Sequence, residues 1–267
     1  FSAKRFDMAI ATYLARLSAD IPLNIKKMLE QIGPSGSIEN ITARYQPDHP
    51  DSAFVATLGV KNLSTAGNNK YPALKDFSAM AKISLSEGEL TLLKTDFTLG
   101  GHHHLANPLA FKALEGSIVW QKNKNGNWDM SVSDVSGELN GSAFRISGQY
   151  KDILANEAYL NIGVALPDID AQSLDSLLPL DMLPPKGETW IRELFHKGRL
   201  TQGSIAFRGP TKSFPFKNSE GTLVADFNVS KSTIKYARLW PVAREVNGHI
   251  AIREDNLYFV INDGTIE

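Results

Sequence analysis

The sequence predicts a mainly β protein with a few helices, built on a long, strongly twisted antiparallel sheet. After residue 36, short segments in which apolar and polar residues alternate follow one another, with polar or glycine-containing turns between them. Helical spacing of apolar residues is confined to the first 32 residues and to a proline-rich stretch near residue 190. The chain therefore divides into helical residues 1–35, a β segment 36–170, an interruption 171–198 and a second β segment 199–267.

The N-terminal segment is predicted to be a pair of helices joined by a kink. Its apolar residues recur at spacings of three and four, which places them on one side of a helix: Phe6, Ile10, Leu14, Leu17 and Ile21. Pro22, after Asp20, suits the first position of a second helix, which Gly33 and Pro34 end.

Each predicted strand presents apolar side chains to one face and polar side chains to the other, which is typical of antiparallel sheets with one wet face. The clearest segments are 54–60, 118–120, 160–166, 223–229, 250–252 and 257–261. Many strands begin with glycine, a polar residue and then Ile or Leu, as at Gly88–Leu90 and Gly221–Leu223. Glycine at these positions lets a strongly twisted sheet bend without a side-chain clash.

The interruption between the β segments contains prolines 179, 184 and 185 and one short helix, predicted near residues 188–197 and ending at Gly198. One side of this helix is strongly apolar and carries Trp190, Ile191, Leu194 and Phe195. We interpret it as a helix that closes one end of a core. A lid over part of a groove is the alternative.

Composition excludes several classes of function. The formal charge of -1 and the pI near 6.7 leave no basic excess to offset a phosphate backbone, so no nucleic acid partner is expected. The chain contains no cysteine, which rules out disulfides and thiolate sites but does not decide the compartment.

No apolar run approaches the length of a membrane-spanning helix. The chain begins without Met and ends within an apparent strand, so we expect a fragment of a longer protein.

No motif for catalysis is found, and we expect neither an enzyme nor a cofactor. The nucleophile elbow, the phosphate loop and the dinucleotide fingerprint are all missing from the sequence. His102, His103 and His104 supply at most two metal ligands on one side of a strand, so an exposed turn is preferred and no metal site is assigned. Carboxylates and tryptophans are interpreted as solvated surface and packing, not as acid/base pairs or a sugar platform: Asp168, Asp170, Asp175, Asp181, Trp120, Trp128, Trp190 and Trp240.

A run of motifs in the C-terminal third resembles the YhdP branch of the AsmA-like proteins. The run comprises Leu183-Pro184, Trp190, Gly198, Gly203, Phe207-Arg208-Gly209, Phe214-Pro215-Phe216, Gly221, Tyr236 and Trp240-Pro241. The stretches 33–38 and 54–150 look like the preceding part of the same family region, so the resemblance covers about residues 30–267.

The resemblance implies a section of a long protein of the Gram-negative periplasm, anchored to the inner membrane through a tether that this fragment lacks. It implies a sheet curled into an open hydrophobic groove that conducts phospholipid between the two membranes, with envelope proteins as candidate partners at either end. Together with the alternation, it predicts the residues that line the groove: Ile118, Trp120, Ile205, Phe207, Leu223, Ala225, Phe227, Ile250, Ile252, Leu257, Phe259 and Ile261. A closed β-sandwich scaffold without ligand and a carbohydrate-binding or carbohydrate-active protein are the alternatives.

Overall fold

The computed structural model describes residues 2–18, 23–45, 54–68, 72–100, 108–153, 155–174, 185–214, 216, 218–237, 239–253 and 256–266. Their strands form one open antiparallel sheet of thirteen strands, arranged in chain order from β1 to β13. The strands are β1 Ser2–Asp7, β2 Ser35–Tyr45, β3 Phe54–Thr65, β4 Ala73–Ser84, β5 Glu87–Gly100, β6 Leu109–Lys122, β7 Trp128–Leu139, β8 Ser142–Lys151, β9 Tyr159–Asp170, β10 Phe195–Pro210, β11 Thr222–Ile234, β12 Ala243–Arg253 and β13 Asn256–Ile266. The predicted mainly β, antiparallel fold is confirmed.

The described residues contain three α-helices: α1 Met8–Leu17, α2 Leu23–Ile32 and α3 Pro185–Leu194. The predicted N-terminal helix pair is therefore confirmed. α1 begins after Asp7, whose Oδ1 accepts a hydrogen bond from the Ala9 amide at 2.8 Å. An ion pair of 3.3 Å between Arg16 and Glu30 links the two helices. Asp20, Ile21 and Pro22, in the predicted kink, lie outside the described residues.

Two boundaries differ from the prediction. The helical spacing was expected to start at Phe6, but Ser2–Asp7 is a strand in which Phe6 lies opposite Ile38 of β2. α3 was predicted near residues 188–197, but it ends at Leu194, and Phe195 starts β10 by pairing with Ile234. In both places, pairing with a strand distant in sequence overrides the local helical pattern.

The chain forms two compact units, residues 1–125 with β1–β6 and residues 126–267 with β7–β13. In the second unit, buried side chains from β9 to β12 and from α3 form one core. Ile169, Leu200 and Val246 are its most completely buried apolar residues. The predicted division of the chain into segments 1–35, 36–170, 171–198 and 199–267 stays a prediction.

Residues with left-handed backbone angles interrupt most of the strands at a shift in pairing register. They are Asn40, Asn62, Asp76, Lys94, Ala113, Asp134, Gln202, Lys231 and Glu245, in nine different strands. A positive φ at a register shift identifies a β-bulge, in which one extra residue bends the strand and increases its twist. Within each unit, these bulges bend the strands that contain them.

A side chain of the neighbouring strand satisfies the backbone N–H that several bulges leave without a ladder partner. The amide of Asn62 donates to Ser78 Oγ at 3.0 Å, and that of Lys231 donates to Asn247 Oδ1 at 3.0 Å. The amide of Ala113 donates to Asp96 Oδ1 at 2.7 Å. These bonds remove the cost of an unpaired backbone donor, which explains how the bulges persist inside a continuous sheet.

Replacing Ala113 by Gly is expected to stabilise the protein by about 0.5 to 1 kcal/mol. Ala113 is exposed and has a φ of 48°, where its Cβ strains the backbone, whereas glycine adopts this angle without that strain. Denaturant unfolding measures the change. Ala110→Gly, in the same strand but without a positive φ, is the control and should destabilise the protein. Equal effects of the two substitutions would contradict the assignment of the bulge.

Candidate functional site

An unbroken row of apolar residues crosses all seven strands of the second unit. Directly paired residues of antiparallel strands project from the same face of a sheet. The pairings place the following residues side by side, one in each strand from β7 to β13: Val135, Ile146, Val164, Ile205, Ala225, Ile252 and Leu257. We call the face that carries this row the apolar face of the second unit.

Adjacent rows extend this face. Phe207 lies opposite Ile162 and Leu223, while Phe227, Ile250 and Phe259 lie opposite one another in successive strands. All ten predicted lining residues of the second unit are therefore on the apolar face, including Ile261, which lies opposite Gly248. The side chains that β7, β8 and β9 contribute to this face were not among the predicted lining residues, although apolar and polar residues alternate at 160–166, within β9.

Burial divides these predicted residues into three groups. Ala225, Phe227 and Ile250 are buried within the core. Ile261 is 56% exposed on the edge strand β13. The others are half-buried, so they combine firm packing with surface that remains accessible: Ile205, Phe207, Leu223, Ile252, Leu257 and Phe259.

The first unit has an apolar face of its own, which carries the two remaining predicted residues. Ile118 continues a row formed with Leu58, Ala81 and Leu90. Trp120 belongs to the next row and is half-buried opposite Gly88.

Glycines on these faces leave space for aromatic rings. A Cβ at Gly88 would collide with the indole of Trp120, and one at Gly203 would lie 2.6 Å from the ring of Phe227. Phe216 occupies a similar place, because a Cβ at Gly209 or Gly221 would lie within 2.7 Å of its ring. The glycines that the sequence analysis assigned to bending of the sheet thus also make room for large side chains.

The helix α3 covers one end of the apolar face of the second unit. Leu194 and Phe195 are buried in the core beside Leu200, and the half-buried Trp190 and Ile191 pack against it. This arrangement agrees with the interpretation as a helix that closes one end of a core. A role of α3 as a lid stays a prediction, and it concerns mainly the half-buried Trp190 and Ile191.

Gly198, expected to end this helix, lies instead within β10. Its φ is 122°, and a Cβ at this position would collide with the backbone and side chain of Ser232. The expected helix stop is therefore wrong, because the glycine serves a close approach between β10 and β11.

Three aromatic rings form a cluster beside Pro210, near the opposite end of β10. The ring centroids of Phe207 and Phe216 are 5.1 Å apart, and Phe214 lies 5.8 Å from Phe216. Both rings of the Phe214-Pro215-Phe216 motif are thus packed, as the sequence analysis expected, whereas Pro215 itself lies outside the described residues.

The opposite face of the second unit is polar and carries a hydrogen-bonded network. Asp226 Oδ1 accepts a hydrogen bond from Arg253 Nη2 at 2.8 Å and lies 3.2 Å from His249 Nε2. The network continues from His249 to Asn228 and from Asn228 to Gln202. The hydrogen bond from Arg253 lowers the pKa of Asp226 below its ordinary value.

Replacing Asp226 by Asn is expected to make folding less stable at neutral pH, by an amount that shrinks in acid. Because the pKa of Asp226 is lowered in the folded protein, its carboxylate stabilises the fold above the unfolded-state pKa. This contribution is lost as the pH falls below about 4 and through the folded-state pKa. Urea unfolding of both proteins across this range measures the difference. A difference that stays constant with pH would contradict the role of the carboxylate.

The side chains considered for chemistry have structural partners. Arg199 Nε donates to Asp168 Oδ1 at 3.0 Å, and Asp170 caps a short 3-10 turn through the Gln172 amide. Within the described ranges no group of three or more His, Asp or Glu residues is arranged to hold a metal ion. The His102–His104 run and the carboxylates Asp175 and Asp181 lie outside those ranges.

The chain is therefore a protein of the open antiparallel β-sheet class, and its second unit has one apolar face and one polar face. The chain belongs to the YhdP family, whose sequence model matches residues 1–267. This match spans more of the chain than the motifs recognised from residue 30 onward. No curated protein and no solved structure matches the chain significantly. Among the helices that the structure describes, none has the length and hydropathy required to cross a bilayer.

Proposed function

We propose that this chain is a section of a protein that binds phospholipid acyl chains on its apolar face and conducts them between the inner and outer membranes of a Gram-negative envelope. The observation that carries the proposal is the apolar row across β7–β13, which includes side chains that are only half-buried. Membership of the YhdP family supports it, because the resemblance to AsmA-like proteins implies lipid transport.

The physical need for such a surface follows from the cost of exposing hydrocarbon to water. Each exposed methylene costs about 0.8 kcal/mol, so a chain of about sixteen carbons costs on the order of 12 kcal/mol. A continuous apolar face removes much of this cost if it contacts the chain along its length. Because neighbouring apolar residues are chemically alike, a lipid tail can slide from one to the next without crossing a large barrier.

The proposal includes a location and partners. The protein would act in the periplasm and be anchored to the inner membrane, with phospholipid as its ligand and envelope proteins as partners at its ends. Such a role needs binding and release but no bond making, so we propose that the protein is not an enzyme.

The two alternatives receive less support. A β-sandwich consists of two packed sheets, whereas the described strands belong to one sheet in chain order. A sugar platform requires exposed rings, but Trp120 packs over Gly88 and Trp190 packs against the core of the second unit. Trp240, which was interpreted from the sequence as packing, is instead 63% exposed, but its neighbours are Tyr236 and the exposed Leu239. Phospholipid therefore fits the site better than carbohydrate.

Native mass spectrometry of the chain purified from cells without detergent tests the proposal. We expect the protein to carry diacyl phospholipid, identified after extraction by its headgroup and chain masses. Protein that is free of lipid when isolated, and that also takes up none from phospholipid vesicles, would overturn the proposal. A soluble oligosaccharide that binds in place of lipid would favour the carbohydrate alternative.

A further inference from the structure

The loop between β11 and β12 carries an aromatic cluster that the proposed lipid site does not explain. Tyr236 is at its centre, with ring centroids 5.3 Å from Trp240, 5.6 Å from Phe259 and 6.3 Å from Trp190. Phe259 is a residue of the apolar face, and Trp190 belongs to α3. The cluster therefore connects the apolar face directly to residues 235–237 and 239–241, which we call the β11–β12 loop.

Hydrogen bonds hold this loop in place. Trp190 Nε1 donates to the Tyr236 carbonyl at 2.8 Å, and the Lys235 amide donates to the Leu194 carbonyl at 2.9 Å. Within the loop, the Trp240 amide donates to the Ala237 carbonyl at 3.0 Å and closes a turn. The loop thus presents its side chains from a fixed base on α3, which lowers the entropy cost of binding through them.

The loop exposes large apolar side chains to solvent. Leu239 is 94% exposed, Trp240 is 63% exposed and Tyr236 is 42% exposed. A single exposed leucine is common on protein surfaces, but a leucine beside Trp and Tyr on a hydrogen-bonded loop forms a small contiguous patch. Trp and Tyr are enriched where proteins meet the headgroup region of a bilayer, because their rings combine an apolar body with a polar group.

The basic residues of the surrounding sequence favour a partner with an anionic surface. From Asn228 to Arg244 the chain has four basic residues, Lys231, Lys235, Arg238 and Arg244, and no acidic one, whereas the whole chain has a net charge of -1. Within the described residues, neither Lys231 nor Lys235 forms an ion pair with a carboxylate. Basic residues beside exposed aromatic residues match the negative potential of a bilayer that contains anionic phospholipid.

We propose that the β11–β12 loop docks on a phospholipid bilayer that contains anionic lipid, and that acyl chains pass from there to the apolar face through Tyr236 and Phe259. The docking depends only on the loop, whereas the transfer of acyl chains rests on the proposed function. Leu239 and Trp240 insert into the interface, and the basic residues add electrostatic attraction.

Vesicle flotation with the purified chain tests the docking. We expect the protein to float with vesicles of mixed phosphatidylglycerol and phosphatidylcholine and to float much less with phosphatidylcholine alone. Replacing Leu239 and Trp240 together by Ser should weaken binding about tenfold or more, because two large apolar side chains leave the interface. Replacing Lys235 and Arg238 together by Gln should weaken binding on the order of tenfold at low salt and less at high salt.

The double variant Leu85→Ser with Leu93→Ser is the matched control, because it removes two leucines that are 60% and 69% exposed in the first unit. It should bind vesicles like the unmodified chain. Equal losses in the control and in the Leu239/Trp240 variant would overturn the proposal, as would equal binding to neutral and anionic vesicles or no binding at all. Circular dichroism and thermal unfolding confirm that each variant is folded.

Native mass spectrometry of the same preparations separates this proposal from the proposed function. Protein that carries lipid but does not float with vesicles would overturn the docking and leave the lipid-binding function standing. Protein that floats but never carries lipid would overturn the lipid-binding function and the transfer step, and would leave the docking standing. A loop variant that loses vesicle binding and also takes up lipid from vesicles more slowly supports both.

Discussion

The Phe259→Asp variant is expected to lose bound phospholipid almost completely. Phe259 is half-buried on the apolar face of β13, in line with Ile250 and Phe227. A carboxylate here would have to give up water wherever an acyl chain lay against it, and burial of an unpaired charge is far more costly than the gain from the contact. We expect lipid occupancy, measured by native mass spectrometry, to fall at least about tenfold.

Tyr258→Asp is the matched control for this variant. Tyr258 is the preceding residue of the same strand, is 54% exposed and projects from the opposite, polar face. Both substitutions add one carboxylate to the edge strand, so a general effect of charge on β13 would appear in both. Loss of lipid from both variants, or from neither, would contradict the assignment of the apolar face as the lipid site. Leu223→Asp, on the same face of β11, should behave like Phe259→Asp.

The Gly198→Ala variant is expected to be destabilised by about 3 kcal/mol or more. Its φ of 122° suits only glycine, and the added Cβ would meet Ser232, which is 0% exposed and has no space into which to move. The strain would displace β10 from β11 beside Leu200, at the centre of the core. Denaturant unfolding measures the loss.

Gly163→Ala is the control for the second prediction. Gly163 lies in β9, where an added Cβ has the Ser147 carbonyl oxygen as its nearest neighbour, at 4.0 Å. This substitution should change the free energy of unfolding by less than about 0.5 kcal/mol. If both glycines tolerated Ala equally well, the close approach of β10 to Ser232 would be refuted.

The alternation of residues predicted the strands well because each strand contributes one face to apolar packing and one to water. Leu223, Ala225 and Phe227 were assigned to one face from sequence alone, and the pairings of β11 place them there. The helix pair was recognised for the same reason, since apolar residues on one side of a helix produce a distinct spacing. The end of α3 was misplaced because the pairing of Phe195 with Ile234 is not visible in the local sequence.

The bulges could not be predicted because they depend on register. Lys94, Ala113 and Lys231 are ordinary residues for a strand, and nothing in their types indicates a positive φ. Their conformation is fixed by side chains such as Asp96 and Asn247, which come from neighbouring strands. The same holds for the aromatic cluster around Tyr236, whose members lie far apart in the chain.

The class of fold, the two contrasting faces and the family can be recognised in the amino-acid sequence, because apolar periodicity and motif order are properties of the chain. The three-dimensional structure was needed to establish how much of each predicted lining residue is exposed, where α3 covers the apolar face, and which aromatic residues meet at the β11–β12 loop. These features depend on contacts between residues that are distant in sequence. Such contacts follow from strand register and packing, which local composition does not specify.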